Sequence, residues 1–153
     1  KTVLLRRNVF DNIAFPLAMD GYSKKQIIDK VNMYLKKFEI DKFKKLSARN
    51  LSGGLAQFIS FVRSVITEPD ILILDEPFSN LDVNLKSKIE NYLINQRFKR
   101  KIILVTHDLF QAQRLADEII IMDSGGMISK SINKKLINTK NTKIKAFLNR
   151  NYF

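Results

Sequence analysis

The chain has 153 residues, 45% of them hydrophobic, enough for a domain with a buried core. It has no cysteine and one histidine, His107, which excludes disulfides, thiolate metal sites and a multi-histidine metal site. Twenty-seven Lys and Arg against 15 Asp and Glu leave a net charge of +12, a balance that suits an anionic surface. The lysines are scattered, however, and no arginine-rich helix or glycine–aromatic signature accompanies them, so no specific nucleic-acid partner is expected. No apolar run approaches membrane-spanning length and no secretory signal is present, which leads to the expectation of a cytoplasmic location without a transmembrane segment. The chain opens at Lys1 directly into the apolar TVLL and reads as the continuation of a longer sequence.

Residues 8–19 (NVFDNIAFPLAM) read as a short helix ended or kinked near Pro16, with a turn at Gly21. Ser23 and Gln26 have capping-box spacing, and Ile27, Ile28, Val31, Tyr34, Leu35 and Phe38 then trace one helical face. After a lysine-rich connection, Leu55, Phe58, Ile59, Val62, Val65 and Ile66 repeat at helical spacing until Pro69. The run ILIL (71–74) suits a strand buried on both faces.

Asp82 is placed to cap a helix with Leu85, Ile89, Leu93 and Ile94 facing inward. IILVT (102–106) is a second buried strand, followed by a short helix near 109–116. EIIIMD (118–123) is a third strand, which Gly125 and Gly126 turn back as a hairpin. The tail from Ile132 is rich in Lys and Asn, with a weakly amphipathic helix over 143–150. Alternating strands and helices predict an α/β fold with a mostly parallel sheet, and the first sixty residues read as a separate helical part.

Three stretches carry chemistry. RNLSGGLAQF (49–58) sets Ser52 and two glycines at the start of a helix, where backbone amides hold an anion without a side chain in the way. ILILDEP (71–77) leaves Asp75 and Glu76 at the carboxyl end of a strand, the edge where open α/β sheets bind ligands. Oxygen donors there suit Mg²⁺, and a neighbouring carboxylate can orient a water. His107 ends the next strand, and strand adjacency would bring it to that same edge. Each alone has a plainer reading: an acidic turn, a structural histidine, or at Asp82 an ordinary helix cap.

In this order, LSGGLAQ, ILILDEP, SNLD and LVTHD resemble the signature motif, Walker B, D-loop and switch histidine of the ATP-binding-cassette ATPases. The likeness covers residues 1 to about 130, and NVFDNIAFPL resembles the segment just after that family's Q-loop. The resemblance implies a P-loop NTPase core, here incomplete, with a helical subdomain. Residues 1–60 would be the post-Q-loop segment, helical subdomain and signature; 61–130 the C-terminal part of the catalytic core; and 131–153 a basic tail.

It further implies Mg²⁺ at Asp75, a catalytic carboxylate at Glu76 and a γ-phosphate contact from His107. Ser52, Gly53, Gly54 and Gln57, the signature residues, would serve ATP held by an opposite subunit in a head-to-tail dimer, with Asp82 communicating across it. LLRRNVFDNIAFPL and DEPFSNLD resemble importer subunits, of the tungstate, molybdate or amino-acid kind, which attach to transmembrane permease subunits on the inner face of the membrane.

Two departures accompany the likeness. No Gly-x-x-x-x-Gly-Lys occurs in residues 1–153, so little or no ATP binding is expected from this chain by itself. Phe58 stands where the family usually has arginine, with an expected effect on the interface around the nucleotide, and Leu55 stands where a polar residue is common. A truncated or decayed cassette that only lends its signature to a partner, and a soluble cassette ATPase acting on nucleic acid or ribosomes, are the alternatives that these residues leave open.

Overall fold

The computed structural model describes residues 3–123 and 125–132; the expected helix over 143–150 lies outside them. Two units are formed, Lys1–Val105 and Thr106–Phe153.

In the first unit, Asn8 caps helix α1 (Val9–Met19) by accepting the Asp11 amide at 2.7 Å. The helix runs through Pro16 instead of ending there. Proline removes one donor, and the last turn after it is closed by Asp20 N–H to the Pro16 carbonyl at 3.0 Å. Buried Asn12 fastens the preceding extended segment: its Oδ1 accepts Leu5 N–H at 2.8 Å, and its Nδ2 donates to Leu5 and Asn8 carbonyls.

Helix α2 (Lys24–Lys37) has the expected capping box of Ser23 and Gln26. Val31, Tyr34, Leu35 and Phe38 are buried as the helical face requires, whereas Ile28 is 48% exposed. Short 3₁₀ turns at Asp41–Phe43 and Ala48–Asn50 lead to α3 (Gly53–Val65). Helix α1 packs on both α2 and α3, and Val9, Ile13, Leu17, Ile59, Val62 and Val65 form the centre of that core.

Phe58 sits deep in this core, 0% exposed, meeting Phe38 edge-on at 5.6 Å and Phe61 at 6.4 Å. Tyr92, on α4 (Val83–Gln96), closes the cluster against Phe38 and Phe61. Phe58 is thus a core residue, on the α3 stripe with Ile59 and Val62.

Strand β1 (Ile71–Asp75) pairs in parallel with β2 (Lys101–Val105), in register from Ile71 with Lys101 to Asp75 with Val105. Leu72 and Leu74 are buried, but Ile71 and Ile73 are 60% and 67% exposed. The strand expected to be buried on both faces is covered on one only, because its residues alternate faces and this unit supplies helices to one of them. On β2, Ile103 and Val105 continue the exposed apolar face. Ile94, expected inward on α4, is half-exposed, while Ile89 and Leu93 are buried.

In the second unit, α5 (Leu109–Leu115) precedes β3 (Glu118–Asp123), which pairs antiparallel with β4 (Gly126–Ile132) as the expected hairpin. Ile119 and Ile121 form its small core with Leu109, Ala112 and Ala116. Among the described residues the strands therefore make one parallel and one antiparallel pair.

Candidate functional site

Parallel pairing puts the carboxyl ends of β1 and β2 at one edge, and Asp75 is the last residue of β1 there. The next residue, Glu76, has φ of +46°. Left-handed backbone is costly for a residue with a Cβ, and a following proline normally drives its predecessor to extended backbone. Glu76 precedes Pro77, so two local preferences are overridden at one position. Three contacts hold it. Its N–H donates to the Val105 carbonyl at 3.0 Å, and its own carbonyl accepts Ser79 N–H at 3.4 Å and the Gln57 side-chain amide at 2.9 Å. Strain maintained by its surroundings is a mark of functional positions.

The loop that follows is short and anchored. Phe78 and Leu81 are buried, and Asp82 caps α4 by accepting Leu85 N–H at 2.9 Å. That bond confirms the cap expected at Asp82.

Helix α3 begins with Ser52 as its cap, the hydroxyl oxygen accepting Leu55 N–H at 3.3 Å. The hydroxyl proton remains a donor, and the amides of Gly53 and Gly54 have no acceptor within the helix. The two glycines have different reasons. A Cβ on Gly54 would lie 2.5 Å from the Asn80 carbonyl oxygen, so the loop after Glu76 closes directly on the helix. A Cβ on Gly53 would meet nothing within 4 Å.

One turn further on, the Gln57 amide nitrogen also reaches Ser79 Oγ at 3.3 Å, and its oxygen accepts from Asn80 Nδ2 at 3.1 Å. The structure thus brings Gly54 and Gln57 together with Glu76 and the Ser79–Asn80 turn. Both ends of the Gln57 amide are engaged within its own chain. Nothing in residue spacing signals that bond, because it joins positions 19 apart across two motifs.

His107 lies in the second unit, in the turn that opens α5. Thr106 Oγ1 accepts Asp108 N–H at 3.0 Å and donates to Gln111 Oε1 at 3.2 Å, while Asp108 caps the helix through Gln111 N–H at 3.1 Å. These bonds fix the backbone on both sides of the histidine.

Mg²⁺ keeps water and phosphate oxygens and takes one or two carboxylates instead of an all-protein cage. Asp75 at the strand edge fits that demand, and among the described residues no group of three or more His, Cys, Asp or Glu forms a cage. A shallow depression of about 200 Å³, lined by Leu4, Leu5, Arg6, Ala48, Arg49 and Ala56, contains none of these candidate residues. No helix among the described residues is long and apolar enough to cross a membrane.

Residues 1–79 match the ABC transporter family. The tungstate uptake system ATP-binding protein TupC of Peptoclostridium acidaminophilum is 36% identical over 124 residues, 80% of this chain and 58% of TupC. The sn-glycerol-3-phosphate import ATP-binding protein UgpC of Yersinia pestis is 37% identical over 120 residues, 77% of this chain and 34% of UgpC. The spermidine/putrescine import ATP-binding protein PotA of Fusobacterium nucleatum is 38% identical over 123 residues, 79% of this chain and 33% of PotA. The chain therefore spans less than two thirds of the length of each of these relatives.

Proposed function

The chain belongs to the ABC transporter family, with the α/β fold of its ATPase domain, and we propose that it forms the signature- and carboxylate-bearing part of an importer ATPase that couples ATP hydrolysis to solute uptake. The observation that carries this reading is the junction of Gln57 with the Glu76 carbonyl, which joins a phosphate-facing helix start to an acidic strand edge. On this reading residues 1–60 hold the helical subdomain and signature, 61–130 the C-terminal part of the core, and 131–153 a basic tail.

Asp75 offers its carboxylate to Mg²⁺, which when bound neutralises charge on the nucleotide's terminal phosphates. Glu76 orients the attacking water in line with the phosphorus and accepts its proton. His107 holds a terminal phosphate oxygen. Ser52, Gly53 and Gly54 donate hydrogen bonds to the γ-phosphate of ATP bound by a second ATPase subunit. The open space over Gly53 supports that role, since no contact among the described residues requires the missing side chain. Asp82 lies near the dimer partner, and the helical part meets transmembrane permease subunits on the inner membrane face. Relatives named for tungstate, glycerol-3-phosphate and polyamines match at 36–38% identity, so these residues do not choose among the solutes.

The 153 residues contain no Gly-x-x-x-x-Gly-Lys, and the chain alone is expected to hydrolyse no Mg-ATP. Fusion to a segment that supplies a phosphate loop should restore hydrolysis that Glu76→Gln abolishes. A fusion that binds ATP yet shows no hydrolysis with Glu76 intact would overturn the enzymatic reading. A second reading, donation of the signature alone, is favoured by the intact helix start at Ser52. It predicts that the unaltered chain and its Glu76→Gln variant stimulate a competent partner's ATPase equally.

A further inference from the structure

We propose that Gln57 is a positioning residue: its side-chain amide locks the start of α3 to the strained Glu76 loop, so that the two half-sites borne by one chain move as a single piece. The proposal rests on the reading of Ser52–Gly54 and Glu76 given above, but the lock itself is independent of any nucleotide.

The geometry is specific. Gln57 Nε2 lies 2.9 Å from the Glu76 carbonyl oxygen and 3.3 Å from Ser79 Oγ, while Gln57 Oε1 accepts from Asn80 Nδ2 at 3.1 Å. Donor and acceptor ends of one amide are thus spent on one loop, which no apolar residue of similar size can reproduce. Gly54 removes the Cβ that would otherwise collide with the Asn80 carbonyl, which lets the loop seat close enough for all three bonds. Glu76 gains most from the arrangement. At φ +46° and before Pro77 it has no local reason to stay left-handed, and its carbonyl is oriented by the Gln57 amide and the Ser79 N–H. A displacement of α3 by what its N-terminus binds is therefore transmitted to the backbone that carries the Glu76 carboxylate.

Amide hydrogen exchange of the full 153-residue chain, without nucleotide, tests the lock. Gln57→Met keeps the bulk and removes all three bonds. The Ser79 and Leu81 amides should then exchange about tenfold faster, with the core amides of α2, such as Leu35, unchanged. Adding Glu76→Gly should restore part of the protection, because glycine adopts φ near +46° without the steric penalty that a Cβ carries there. Wild-type exchange at Ser79 in Gln57→Met, or a rise shared equally by α2, overturns the proposal, as does failure of Glu76→Gly to restore protection. Should Gln57→Met fail to fold, Asn80→Ser removes the Oε1 bond from an exposed position and must still speed exchange at Ser79 and Leu81. Unaltered exchange there overturns the proposal equally. ATPase readings of the phosphate-loop fusion are independent of this experiment, so failure of one is distinguishable from failure of the other.

Discussion

The side-chain amide of Gln57 donates to the carbonyl oxygen of Glu76 at 2.9 Å, joining the first turns of α3 to the acidic end of β1. Gly54 makes room for that bond, and Asn80 completes it from the other side.

The adjacent glycines should respond oppositely to one methyl group. Gly54→Ala places its Cβ against the Asn80 carbonyl oxygen and is expected to cost about 1–3 kcal/mol. Gly53→Ala meets open space at the first position of α3 and should be neutral or slightly stabilising. Urea denaturation of the two variants checks this, and equal destabilisation would contradict the asymmetry.

Phe58 is expected to be a stability residue. Phe58→Ala should cost about 3–5 kcal/mol by opening the aromatic cluster with Phe38 and Phe61. Phe58→Arg should cost at least as much, because it buries a guanidinium among Ile59, Val62 and rings. Denaturation midpoints measure both, and a stable Phe58→Arg chain would place the side chain elsewhere.

The exposed apolar face of β1 and β2 should make the isolated chain self-associate. Ile73→Thr keeps strand preference, lowers that surface's apolar character and is expected to reduce association without a loss of stability. Light scattering at matched concentrations checks the first part, and thermal denaturation the second.

Stability should fall at both ends of the pH scale for reasons local to Tyr34 and Glu68. Tyr34 Oη donates to Glu68 Oε1 at 3.0 Å. Burial pushes the Tyr34 hydroxyl above its usual value of 10.0, reinforced by Tyr92 and by Glu68. The folded state holds that proton more tightly, so the contribution is complete below pH 10.0 and declines as pH rises above it. For Glu68, burial alone would raise the pKa, but the Tyr34 hydroxyl and Lys30 outweigh it and hold the carboxyl below 4.5. That contribution is present above pH 4.5 and is lost as pH falls through the lower folded value. Tyr34→Phe should flatten the alkaline limb and Glu68→Gln the acid limb of stability against pH.

Caps, turns and the element order were legible because each depends on neighbours in sequence. Ser23 with Gln26, Asp82 with Leu85, and Asn8 with Asp11 are separated by three residues, a distance at which the side chain can only serve its own helix. Burial was read less well. Ile28 lies on the correct stripe of α2 yet stays half-exposed, and Ile73 lies on a sheet face that no helix of its unit reaches. Helical periodicity names a face without saying how much of it will be covered. The chemistry-bearing stretches could be placed at a helix start and a strand end from the order of residue types. The left-handed Glu76 could not, since the contacts that impose it come from Val105 and Gln57, far away in the chain.

Lys88 adds a consequence for how the chain reaches this state. Its ammonium donates at 2.8 Å both to the carbonyl of Phe38, where α2 ends, and to the carboxylate of Glu39 just beyond, so a residue of α4 completes the terminus of a helix formed 50 positions earlier. The backbone of that turn is closed locally, by Glu39 N–H to the Lys36 carbonyl at 3.0 Å and Ile40 N–H to the Leu35 carbonyl at 2.9 Å. Glu39 itself sits at φ +56°, and Lys88 adds a tie from α4. Closing a loop of that length loses chain entropy before the contact repays it. The two Lys88 bonds are therefore expected to form only when α4 docks, on a turn of α2 whose backbone bonds are local.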